Sequence, residues 1–156
     1  VGGLPKAACL PEVIHQVVTA TRCGFLFDLS HARLAAMRLA MDGKDYIKGL
    51  PVGQVREIHV TGIQRFEGKY IDLLKRGGID DKTIQRFAGR MMDHLPMTDA
   101  DWLFLEWAIA EIRSGRWGMP WVIAFEYGGV GPGWADLTET TVLEEQVPRL
   151  YKLIKG

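Results

Sequence analysis

Cysteine is scarce in this sequence, with only Cys9 and Cys23 among 156 residues. Their spacing matches no metal or redox motif, and so few thiols in a chain of this size point to a reducing compartment rather than a disulfide scaffold. An excess of either charge is missing too: 19 basic residues balance 19 acidic ones. No basic stripe interleaved with aromatics is present to hold nucleic acid. Nowhere does an apolar run approach the ~18 residues of a membrane span, and no charged-then-apolar leader opens the chain. An opening methionine is also lacking. The chain starts VGGLPKAAC, which reads as a processed product, a proteolytic fragment or an excised piece. Repeats and low-complexity linkers are absent, so a single domain is expected. What remains is globular material, 47% hydrophobic, enough to bury one core. The expectation is a cytoplasmic protein with no nucleic-acid or membrane partner.

Helical and strand signals alternate along the chain. LPEVIHQVVTATR places Pro11 at a helix start, with Val13, Ile14, Val17 and Val18 at helical spacing. GFLFDL is a short apolar run of strand type. Ser30 is then the expected cap of HARLAAMRLAM, whose Leu34, Met37 and Met41 share a face. VREIHV is the next strand, opened by the turn signal LPVG. A polar, glycine-bearing stretch follows from Thr61 to about Gly89, and then RMMDHLPM, a strand stopped by Pro96. Thr98 and Asp101 resemble a capping box for DADWLFLEWAIAEIRSG, which Gly115 ends. PWVIAFEYGG is the clearest strand. A last helix spans about Thr138 to Lys155, with Val142, Val147, Leu150 and Ile154 as its buried side and Pro148 as an irregularity.

Strands alternating with helices imply parallel βαβ units, and near-continuous apolar strands imply that both sheet faces are covered. A doubly wound sheet and part of a (β/α)8 barrel both fit that pattern. In such folds the chemistry lies at the C-terminal ends of the strands. There the first strand carries Asp28, with His31 just beyond, and the second carries His59, with Glu57 two residues back on the same face. The third carries Asp93 and His94, and the fourth Glu126. Carboxylates and imidazoles gathered at one end suit iron, manganese or zinc. Each residue also has a plainer reading. Asp28 and His31 could serve as loop and cap residues, His59 as a satisfied core histidine, and Asp93 and His94 as strand-end polar groups. Glu126 is harder to set aside, because a carboxylate closing WVIAF is costly to bury without a partner. His15 reads as surface or structural, and GGVGPGW lacks the Lys-Ser/Thr of a phosphate loop. The Trp residues of DWLFLEW read as core.

GFLFDLSHARLAA, YIKGLPVGQVREIHVTG, DHLPMTDADW and PWVIAFEYGG follow one another over about residues 20 to 130. In that order they resemble successive blocks of the multinuclear non-haem iron-dependent oxidative enzymes. The resemblance implies a xylose-isomerase-like (β/α)8 TIM-type barrel, of which this chain is the C-terminal half with about four parallel strands alternating with helices. It implies two or three metal ions with iron the active species, and manganese or zinc as alternatives. Dioxygen would oxidise a cysteine-containing peptide, often presented by a partner protein. By motif, Asp28, His31, His59, Asp93 and Glu126 would be metal ligands, with Glu57 holding His59. Two departures stand out. The family block Asp-x-His reads DHLPM here, so His94 is out of step and falls beside the ligands rather than among them. YIDLL, with Asp72, has Leu74 where a histidine would stand. The N-terminal half of the barrel is also missing, and VGGLP would be the tail of its fourth strand. Exposed strand edges would then call for that half, from a parent of about 250 to 300 residues, or for self-association. Alone, this chain is expected to be inactive.

Three functions compete on this reading. The first is the oxidative metalloenzyme. The second is a divalent-metal sugar isomerase or epimerase, which consumes no oxygen. The third is a non-catalytic barrel remnant whose peptide binding survives removal of metal.

Overall fold

The computed structural model describes residues 6–131 and 133–156. The strand tail expected at VGGLP lies outside the described residues. Contacts divide the chain into two compact units: one takes the chain up to Val60 together with Ala108–Ala124, the other Thr61–Trp107 with Phe125–Gly156. The fold is mixed α/β.

In the first unit, helix α1 (Pro11–Thr21) starts at its proline and ends on Arg22, in the left-handed region at φ 55°. Strand β1 (Phe25–Asp28) runs straight into α2 (Leu29–Leu39). The cap is Asp28 rather than Ser30, since its side chain accepts from the amides of both Ser30 and His31. Ser30 is instead buried within the first turn. The buried stripe of α2 is Leu29, Ala32 and Ala36, while Met37 and Met41 are exposed. Small residues on that stripe let the helix lie close to its neighbours. A short helix α3 (Gly43–Lys48), capped by Asp42, was not legible beforehand. It buries Tyr46 and Ile47. Strand β2 (Val55–Val60) then pairs with β1 in parallel, with Asp28 opposite His59. Strand β5 (Val122–Phe125) completes a three-stranded sheet in the order β1-β2-β5. Val55, Ile58 and Val60 of β2 are buried, and Phe27 of β1 meets Trp117 edge to face at 5.4 Å. Covered faces on every strand are not found: Leu26 of β1 and Val122 of β5 are half exposed. Continuous apolar sequence gave the strands, and only the central one is well buried.

The second unit corrects the expectation of four parallel strands. Thr61 to Gly89 holds strand β3 (Gly62–Arg65), helix α4 (Lys69–Arg76) and helix α5 (Asp81–Phe87). The DHL strand, β4 (Met91–Leu95), pairs antiparallel with β3 as a two-stranded sheet. The stretch reads as polar because charged residues and glycines surround its short apolar groups. Phe66, Tyr70, Leu74 and Ile84 nevertheless gather with Leu95 and Leu137 into one buried cluster. Helix α6 (Asp99–Arg113) begins as the sequence foretells. Asp101 Oδ2 accepts from the Thr98 amide at 2.7 Å and from the Thr98 hydroxyl at 2.6 Å. Its other oxygen takes the amide of Ile63 at 3.4 Å. Gly115, at φ 76°, follows the end of α6.

Helix α7 (Thr140–Lys155) buries Leu150, but Val147 is largely exposed, and Gln146 is buried in its place. The Gln146 amide bonds both backbone groups of Met97, accepting from N–H at 2.9 Å and donating to C=O at 3.0 Å. No apolar side chain could satisfy that pair, so a buried glutamine wins over a valine. Gln146→Leu should therefore cost about 2 kcal/mol or more, through two orphaned backbone groups. In urea denaturation the midpoint should fall with the slope unchanged.

Candidate functional site

The first unit brings four of the expected residues together. Asp28 closes β1 and His59 is the next-to-last residue of β2, so parallel pairing sets them side by side at the same strand ends. A carboxylate oxygen of Asp28 and a ring nitrogen of His59 lie within 4.8 Å of each other. Asp28 is nearly buried, with its side chain 9% exposed. One of its oxygens, Oδ1, takes the amides of Ser30 and His31, each at 2.8 Å. The other, Oδ2, faces His31 Nδ1 at 3.1 Å. The His31 ring itself is mostly exposed. The cap thus occupies Oδ1, and the contact with His31 occupies Oδ2.

Glu57 stands two residues before His59, on the same face of β2, and its Oε1 lies 2.8 Å from His59 Nε2. When Nε2 donates its proton to that carboxylate, Nδ1 keeps its lone pair. The pair therefore fixes the orientation of the His59 ring. His59 is mostly buried and Glu57 half exposed, so water has access from the carboxylate side.

In the second unit, Asp93 and His94 occupy an irregularity of β4. Between the pairs Gly62 to Leu95 and Gln64 to Met92, β4 spends one more residue than β3. His94 has φ 58°, unusual for a residue with a side chain inside a strand. This is a β-bulge with a left-handed residue. Neighbours in a regular strand point to opposite faces; here a ligand atom of Asp93 and one of His94 lie within 4.8 Å of each other. The out-of-step histidine of DHLPM is therefore brought to the same place as the aspartate before it. Glu126 follows directly on β5 and is half-buried in this unit. His15 is exposed, as expected.

Sequence reasoning marked the glycines after Glu126 but not the contacts that hold that loop. Burial holds the Tyr127 hydroxyl above the usual phenol value. Still protonated, it donates to the carbonyl of Leu137 at 3.0 Å and accepts from the Glu139 amide at 2.9 Å. Gly128 donates its amide to the His94 carbonyl at 3.0 Å, tying the loop to the bulge. Glycine density was the only signal, and it was legible as a loop but not as a wall.

A family model described as RiPP precursor modification enzyme MbnB/TglH/ChrH matches residues 9–92, which is more than half of the chain. The chain belongs to this family. Among curated proteins, a UPF0276 protein of Paraburkholderia phytofirmans is 41% identical over 51 residues, which make up 33% of this chain and 17% of that protein. The matched segment is thus under a fifth of that relative's length. No solved structure matches. The family match covers β1, β2 and the first residues of β4, and so includes Asp28, His31, Glu57 and His59.

Two outcomes follow from the geometry. Asp28→Asn keeps a good helix cap and should change stability by no more than about 0.5 kcal/mol, whereas Asp28→Ala should lose about 1 kcal/mol. Thermal or urea unfolding of both variants checks the difference. At the bulge, His94→Ala should be less stable than His94→Gly by about 1 kcal/mol, because only glycine adopts a positive φ freely. Paired urea titrations would measure it.

Proposed function

We propose that this chain belongs to a metal-dependent oxidative enzyme acting on a precursor peptide, with Asp28, His31, His59, Asp93 and Glu126 as metal ligands. One observation carries the reading. Asp28 and His59 stand side by side at the ends of parallel strands, with Glu57 holding the His59 ring, in a chain of a peptide-modifying family.

The donor set fits such an ion. Carboxylate oxygens and imidazole nitrogens are the ligands that non-haem iron, manganese and zinc accept, and no thiolate competes among the ligands named. A cation at Asp28 would take Oδ2, the oxygen that faces His31, while Oδ1 holds the helix start. Glu57 holds the His59 ring through Nε2. A carboxylate holding the far nitrogen raises the basicity of a ligating imidazole and removes its rotational freedom. Asp93 and His94 add a second carboxylate–imidazole pair from the bulge. We read His94 as positioned beside Asp93, and Glu126 as a further negative charge to balance a divalent ion. Iron bound there would supply the one-electron redox capacity with dioxygen that oxidation of a cysteine-containing peptide needs. The fold proposed for the parent protein is a (β/α)8 barrel of which this chain is the C-terminal half, and a partner protein presenting the peptide is part of the same proposal.

The test is metal content per chain in the full-length protein, purified without added metal or chelator. Iron near or above one equivalent is expected, and His59→Ala should remove it. Unchanged metal in that variant would sink the assignment. Glu57→Gln should weaken metal affinity by roughly 10- to 100-fold without abolishing it. Oxygen uptake with a cysteine-containing peptide then separates oxidation from isomerisation, which takes up none.

A further inference from the structure

Resting on the peptide-modifying reading but making no use of the metal, we propose that a recess in the second unit is the subsite for one large apolar side chain of the peptide. Its volume is about 330 Å³. That is at the small end for ligand pockets and suits a single aromatic or branched side chain. Phe66, Met92, Trp134 and Leu137 supply its apolar wall, and Asp93 and His94 lie along the same lining. A side chain seated here is therefore next to the bulge that carries two of the candidate site residues.

The wall is built before any ligand arrives. Trp134 packs edge to face on Phe87 at 5.2 Å and lies 6.4 Å from the ring of Phe66, which belongs to the buried cluster. Opposite chemistry is used up in holding the loop. The Gly128 amide is spent on the His94 carbonyl and the Gly129 amide on the Thr138 hydroxyl at 3.3 Å. A side chain at Gly128 or Gly129 would run into Thr138 or Trp134, and Gly128 also sits at φ 100°. The loop must be glycine here to close against those residues. Preformed walls spare a ligand the entropy of ordering them.

The occupant follows from the lining. Both loop amides are spent, and apart from Asp93 and His94 the side chains of the wall are apolar, so an apolar guest gains most from entering. Val130 lines the recess while remaining 91% exposed, which marks the mouth as open to solvent. An open mouth suits a side chain that stays attached to a peptide backbone outside.

The test uses the full chain with chelator present and four probes: the N-acetyl amides of phenylalanine, leucine, aspartate and lysine. Nuclear magnetic resonance follows the Trp134 indole and Met92 methyl signals. The phenylalanine and leucine amides should shift both signals saturably, and the charged amides at least ~10-fold more weakly. Met92→Trp should fill the recess and abolish the shift. Val130→Asp, at an exposed position that the fold does not need, should weaken the phenylalanine amide by ~3-fold or more. The proposal is overturned by no saturable shift at these signals, by equal or stronger binding of a charged amide, or by indifference to Val130→Asp. Because metal is withheld, absence of iron from the wild-type protein would count against the metalloenzyme reading and leave this result standing.

Discussion

A strand that turns directly into a helix leaves the first amides of that helix without partners, and in this protein Asp28 supplies the missing acceptor. In the first unit, His31 and His59 are both arranged beside that carboxylate. Two amides on Oδ1 hold the carboxylate in one orientation and aim Oδ2 at His31, while parallel pairing sets the residue opposite His59 on β2. A flexible carboxylate would lose entropy on binding a cation. This one has already lost it to the fold, for a local gain of about 1 kcal/mol in helix stability. In the proposed centre, structural and chemical roles would therefore be joined in one side chain rather than traded against each other.

The second unit solves a related problem with backbone instead of side chain. Adjacent residues of a strand cannot normally serve one site, since they face opposite ways. The bulge in β4 brings a ligand atom of Asp93 and one of His94 within 4.8 Å, at the expense of a left-handed backbone at His94. Strain of that kind persists only where surroundings hold it. Here the His94 carbonyl is anchored by the Gly128 amide, and the next residue, Leu95, is locked into the buried cluster.

Much of this was legible from residue order. Pro11 marked a helix start, Thr98 and Asp101 marked another, and the apolar runs at 25–28 and 122–125 and the alternating VREIHV at 55–60 formed strands. Glu57 could be assigned to His59 because two residues along a strand return to the same face. Less visible was anything that depended on a distant partner. The buried glutamine of α7 answers two backbone groups of Met97, far away in sequence. The stretch from Thr61 to Gly89 conceals its core residues one at a time among charges, and only the assembled cluster reveals them.

Local rules are periodicity, capping and turn chemistry, and these the sequence determined by itself: where elements begin, which residue types lie at strand ends, and which family the pattern resembles. Pairing was left to the tertiary structure. It put Asp28 rather than Ser30 on the helix amides, joined β4 to β3 antiparallel, and inserted the extra residue that turns His94 toward Asp93. The physical reason is that a hydrogen bond between neighbours is nearly decided by their spacing. A bond across sheets or loops is decided by which of many acceptors the packed chain brings within reach.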